Sequence, residues 1–155
     1  MSDIDPKVYS ALAQVFGTYY KRKDDHENYY KSCLQYLNYT PVEDLSDKEK
    51  RELSIKMGMS ILLGKNVFNI AELLDKEIIN SLKDSNFEWL YYMMVTLGKG
   101  QILNFEKTVS EHGEYISKFP QIMKEMSYLE QKVRIIAFIE LIFLRNKDER
   151  SITFE

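Results

Sequence analysis

The stretch from residue 62 to 74, Leu-Leu-Gly-Lys-Asn-Val-Phe-Asn-Ile-Ala-Glu-Leu-Leu, limits the fold more tightly than any other part of the chain. One helix stops in it and a second one starts. Gly64 is predicted to take the left-handed conformation just past a helix end, where the absence of a Cβ removes the steric penalty. Asn69 is predicted to be the next N-cap, with Glu72 three residues on and able to reach back to the cap's own amide. Phe68 and Leu73 then occupy the two positions of a hydrophobic staple. Gly64, Phe68, Asn69, Glu72 and Leu73 together predict a tight corner between two helices.

Helical spacing continues on both sides of this corner. Pro6 suits the first turn of a helix over residues 6–23, with Leu12, Val15, Phe16 and Tyr19 as its apolar stripe. A second helix over 26–39 carries Tyr29, Cys33, Tyr36 and Leu37 on one side and is broken by Thr40-Pro41. Ser46 with Glu49 forms a capping box that starts a third helix running to Leu63. A fourth is predicted over 69–82 with a break near Asp75, a fifth over 87–97 closed by Gly98-Lys99-Gly100, a sixth over 101–111, and a long last helix over 120–145. No segment shows convincing strand alternation before the final residues. Hairpin starts near residues 5, 46, 86 and 120 give a period of roughly 35–40 residues, the range of helical-hairpin arrays. The predicted fold is all-α, an α-solenoid of stacked antiparallel helix pairs, with a compact helical bundle as the structural alternative.

Composition narrows the function. With 155 residues, the chain fits one domain that buries about 68–70% of its unfolded surface. Its 21 basic and 24 acidic residues give a net charge of −3, which argues against a nucleic-acid-coating domain. A single cysteine rules out an intrachain disulfide and suits a reducing compartment. No charged-then-apolar N-terminal segment reads as a signal peptide, so Asn38-Tyr39-Thr40 is a fortuitous sequon. The longest apolar run, residues 135–139 and then 141–144 after Glu140, falls well short of the roughly 20 residues that cross a membrane. It reads as a helix buried on most sides.

Chemistry is sparse. His26 and His112 lie on different predicted hairpins without a ligand pattern around them, and paired cysteines are absent. Residues 58–66 superficially resemble a phosphate loop. Five residues rather than four separate Gly58 from Gly64, Asn66 stands where Ser or Thr is needed, and Gly64 ends a helix instead of starting one. Cys33 has only His26, seven residues back, as a conceivable activator, and its neighbours suggest an inert packed thiol. Asp24-Asp25, Glu43-Asp44 and Asp148-Glu149 sit at helix ends or in loops, where dipole and solvation roles explain them. No catalytic, cofactor-binding or metal-binding residue is assigned. Tyr19, Tyr20, Tyr29, Tyr30, Tyr36 and Tyr39 crowd the first hairpin. Interhelical packing accounts for them, and a peptide-stacking groove is the alternative. Tyr91, Tyr92, Met93 and Met94 are consecutive and about 100° apart around a helix, so the fifth helix is either buried on most sides or touches a partner.

Four ordered segments, Glu27-Asn28-Tyr29-Tyr30-Lys31, residues 62–74, Glu88-Trp89-Leu90 and Ser151-Ile152-Thr153-Phe154-Glu155, together resemble one family. It is the family of the ninth non-ATPase subunit of the proteasome regulatory lid, called non-ATPase regulatory subunit 13 in mammals. The resemblance covers roughly residues 26–155, and residues 62–74 are its most specific part.

The resemblance implies a helical-repeat region followed by a winged-helix subdomain, which together form a PCI domain. It implies a soluble, non-enzymatic structural subunit of cytoplasm and nucleus that binds no cofactor, nucleic acid or membrane. Its implied partners are other lid subunits, above all the fifth non-ATPase subunit, with a ubiquitin-receptor subunit nearby. On this reading residues 1–150 are the helical-repeat domain and residues 151–155 the truncated start of the winged helix, with Thr153 as its cap. The resemblance also implies an excised fragment that holds the central and C-terminal repeats and lacks the family's N-terminal repeats upstream of Asp5, and Phe138, Leu141, Ile142 and Leu144 would then pack on structure outside it. The runner-up is a helical-repeat adaptor that grips a peptide in an aromatic concave groove. A helical enzyme with a site assembled from distant carboxylates is a weaker third.

Overall fold

A computed structural model describes residues 5–148; the predicted winged-helix start at 151–155 lies outside the described residues. Helix α1 (Pro6–Arg22) opens with proline at its first position, while the Asp5 carboxylate accepts from the Lys7 amide. It ends in a Schellman turn. Asp24 takes the left-handed conformation at φ 53°, the Asp25 amide donates to the Tyr20 carbonyl, and the Asp24 amide donates to the Lys21 carbonyl. Asp25 then caps α2 (His26–Tyr39) by accepting from the Asn28 amide at 3.1 Å. So short a connection folds α1 back against α2.

The face of α1 that meets α2 is made of small residues. Ala13 and Gly17 are its buried positions, and Gly17 lies under the Tyr29 ring. The predicted stripe of Leu12, Val15, Phe16 and Tyr19 exists, but it is exposed on the opposite side together with Val8. Close approach through small residues decides which face is buried here, and the large apolar side chains are left outward.

Helix α3 (Asp47–Leu63) begins at the predicted capping box, with Ser46 and Glu49 bonded to each other's amides at 2.8 and 3.2 Å. A short α4 (Ala71–Leu74) and a 3-10 helix (Glu77–Leu82) follow, separated at Asp75-Lys76, so the anticipated break is present. Ser54, fully buried on α3, donates to the Ile78 carbonyl at 2.8 Å and ties the 3-10 helix down. Helix α5 (Glu88–Gly98) closes in a second Schellman turn, where Gly100 has φ 63° and the Gln101 amide reaches the Thr96 carbonyl. Met93 and Met94 are fully buried while Tyr92 faces out, so α5 is buried on most sides.

Helix α6 (Ile102–Glu111) leads through a short α7 (Gly113–Ile116) to α8 (Pro120–Lys124) and the long α9 (Met126–Asp148). The single helix predicted over 120–145 is therefore two, parted at Glu125, with Ile122 and Leu129 both fully buried on either side of the break. Along the array α2 packs on α3, α3 on α5 and α5 on α6, while α9 lies against α5 and α6. Met57, Ile61, Leu62, Leu73, Leu90, Leu97 and Phe105 form the centre of one continuous core. The architecture is an α-solenoid, without a strand among the described residues.

Candidate interaction surfaces

The corner after α3 departs from its sequence reading. Gly64 is extended, with φ −78° and ψ 119°, not left-handed. Asn69 is not an N-cap, because the Ile70 amide donates to the Phe68 carbonyl at 3.0 Å and Asn69 sits inside that turn. Burial of Val67 and Ile70 draws the chain inward, and the helix starts two residues later, with no side-chain cap. Asn69 and Glu72 are exposed. Leu73 is fully buried, but Phe68 stays 38% exposed, and with the helix start displaced the two no longer hold staple positions. Glycine is still required at 64, for space: an added Cβ would lie 2.7 Å from the Ser60 carbonyl and 2.9 Å from Val67 Cγ2.

What caps α3 comes from far along the chain. Lys132 on α9 is fully buried and donates from Nζ to the Ile61 carbonyl at 2.9 Å and the Gly64 carbonyl at 3.2 Å. Its ammonium lies 5.5 Å from the centre of the Phe68 ring and 6.0 Å from that of Tyr128. The Tyr128 hydroxyl donates to the Lys65 carbonyl. Burial lowers the Lys132 pKa from the usual lysine range to about 8. No ion pair with a carboxylate accompanies it among the described residues. Sequence reasoning missed Lys132. The available signal was its place in the series Leu129, Lys132, Val133, Ile136, an apolar face at helical spacing with one charge in it.

Clefts open on the array among the described residues. One, of about 490 Å³, lies between α1, α2 and α3 and includes Tyr29, Cys33, Tyr36, Glu49 and Lys56 in its wall. The other tyrosines of the first hairpin do not join them. Tyr30 is in the core, Tyr9 stacks on Tyr39 at 4.8 Å, and Tyr19 meets Tyr20 edge-on. The aromatic groove of the adaptor reading is therefore not assembled. Burial raises the Cys33 thiol to about 11, which keeps it protonated and unreactive. The second cleft, about 560 Å³, is walled by Asp25, His26, Glu27, Lys65, Asn66 and Glu125. Among the described residues no three His, Cys, Asp or Glu side chains gather as a metal site. His112 stacks on Tyr92 at 6.2 Å.

A further surface feature is apolar. Helix α9 changes character along its length. Leu129, Lys132, Val133 and Ile136 are buried, whereas Phe138 at 62%, Leu141 at 50% and Leu144 at 60% are exposed and Ile142 is half-buried. Phe143, 63% exposed, belongs to the same surface and was not singled out in the sequence. These residues surround the helix, and a helix apolar on all sides is one that other structure normally covers. No helix among the described residues is long and apolar enough to cross a membrane.

The chain is similar in sequence to known proteins. The family model for the PSD13 N-terminal repeats matches residues 1–94, so the repeats expected to be missing upstream fall within this chain and the similarity includes the first helix. The chain is 36% identical over 152 residues to the 26S proteasome non-ATPase regulatory subunit 13 homolog A of Arabidopsis thaliana, covering 98% of this chain and 39% of that protein. It is 32% identical over 154 residues to the 26S proteasome non-ATPase regulatory subunit 13 of Dictyostelium discoideum, and 31% identical over 151 residues to the 26S proteasome regulatory subunit RPN9 of Saccharomyces cerevisiae. The alignments cover 99% and 96% of this chain and 40% and 37% of those relatives, so the chain spans about two-fifths of their length.

Proposed function

The chain belongs to the family of the 26S proteasome non-ATPase regulatory subunit 13, and from this premise we propose that it is a non-catalytic structural part of the proteasome's regulatory lid. One observation carries the reading: similarity to these regulatory subunits runs through nearly the whole chain, including the corner after α3 and helix α9. The mechanism is shape. A stacked helical array holds apolar faces in fixed relative positions, and no bond is made or broken.

Other lid subunits are the partners on this reading, with the fifth non-ATPase subunit as immediate neighbour and a ubiquitin-receptor subunit close by. The cytoplasm and nucleus are the proposed location. Residues 1–150 are proposed as the helical part of a PCI domain, and a winged helix is the proposed cover for Phe138, Leu141, Ile142 and Leu144; their exposure on α9 supports this. Gly64, Phe68 and Leu73 act on this reading as a structural corner that sets the angle between repeats, not as a contact site, while Asn69 and Glu72 are exposed there and supply no cap. Affinity purification of the full-length protein tests the assignment. Recovery with the other lid subunits in fixed proportion is expected, and isolation free of proteasome particles would overturn it.

A further inference from the structure

At the end of helix α3 the Gly64 amide donates to the Ser60 carbonyl at 2.8 Å, but no left-handed residue follows to close the last turn. Gly64 is extended, so the carbonyls that a left-handed residue would have bonded to following amides are left to other donors. The Ile61 and Gly64 carbonyls lie at the negative end of the helix, and the Lys132 ammonium supplies two of its three donors to them from 71 and 68 residues away. One turn earlier on the same face of α9, the Tyr128 hydroxyl takes the Lys65 carbonyl. Phe68, the corner residue with the least obvious role, provides a ring face to the same ammonium. A buried charge without a counterion is strongly unfavourable unless its donors are satisfied, so this arrangement holds only while α9 and the corner stay in register.

We propose that Lys132 and Tyr128 form a latch, a helix cap delivered from a distant segment, that locks α9 onto the end of α3 and so sets the direction in which the uncovered apolar half of α9 projects. The latch does not depend on the proteasome assignment, because its readout is the order of the chain itself. Unlatched, α9 beyond Glu125 and the 61–68 corner loosen together while the α1–α2 hairpin keeps its own turn and cap.

The test is hydrogen exchange on the full-length protein carrying Lys132→Met, which keeps the bulk of the side chain but removes its donors. Amides in residues 61–68 and 126–137 are expected to exchange about tenfold faster or more, as loss of charge-assisted bonds implies, with α1 and α2 unchanged. Exchange as slow as in the parent or slower at both segments would overturn the latch, and would identify Lys132 as a tolerated buried charge that a hydrophobic residue replaces well. Should Lys132→Met fail to fold, Tyr128→Phe decides the matter. Faster exchange confined to the same two segments supports the latch, and no change there overturns it.

Discussion

The Lys132 ammonium on α9 lies 2.9 Å from the Ile61 carbonyl at the end of α3. This one relationship explains why Gly64 need not be left-handed, and the burial of the ammonium gives the protein an alkaline dependence of stability. The folded-state pKa, about 8, lies below the 10.5 of a free lysine. Between those values the unfolded chain binds the proton more readily than the folded one, so stability rises with pH across that window. Below about pH 8 both states are protonated and the penalty of the buried charge is fully present. Above about pH 10 the direction reverses, because burial raises the Tyr29 and Tyr30 hydroxyls and only the unfolded chain ionises there. Melting temperature measured from pH 7 to 11 should show a rise and then a fall. Lys132→Met should remove the rise and leave the fall, and persistence of the rise in the variant would mean that another group produces it.

Gly64 and Gly100 should respond to alanine for different reasons. At Gly64 the backbone suits any residue, so Gly64→Ala is destabilising only through crowding against the Ser60 carbonyl, by about 1–3 kcal/mol. At Gly100 the left-handed backbone adds its own penalty of about 1–2 kcal/mol, and the new methyl would lie 2.6 Å from the Ala137 backbone. Urea unfolding should place Gly100→Ala below Gly64→Ala in stability, with unchanged dependence on denaturant; the opposite order contradicts this account.

Tyr30 is buried, and its hydroxyl has no hydrogen-bond partner among the described residues. Removing an unsatisfied buried hydroxyl restores a desolvation loss of about 1–3 kcal/mol at most. Tyr30→Phe should therefore be neutral or stabilising in a thermal melt. A clear loss of stability would show that the hydroxyl is bonded to an ordered water.

On the proposed function, the exposed half of α9 should separate stability from assembly. Replacing Phe138 and Leu144 with serine removes side chains that contribute little to the core described here, and should change the stability of these residues' helical array by no more than about 0.5 kcal/mol. In the full-length protein the same pair should reduce incorporation into lid particles, read by native gel electrophoresis. Undiminished incorporation would remove this face from the assembly surface.

Local signals in the sequence were good guides to the local elements. Pro6, the Ser46–Glu49 capping box, Thr40-Pro41 and the Gly98-Lys99-Gly100 closure sit where short-range chemistry puts them, since each depends only on residues within one turn. The failures share one cause, which is tertiary context. Gly64 looked like a left-handed cap because its true cap is a lysine 68 residues away. Asn69 and Glu72 made a plausible capping box that burial of Ile70 displaced. The stripe on α1 was legible as a stripe, but periodicity does not say whether a stripe faces inward, and Ala13 with Gly17 offered the closer fit to α2. The apolar character of residues 138–144 was visible in the sequence; that they stand uncovered was not deducible from periodicity.

The distance between Ile61 and Lys132 along the chain also has a meaning in time. A ribosome adding about 5–20 residues per second needs roughly 4–14 s to make the 71 residues between them. Throughout that interval the end of α3 is already synthesised while its cap does not yet exist, and water must hold its carbonyls. The corner that opens the second half of the array can thus receive its lysine cap only after synthesis has moved well past it.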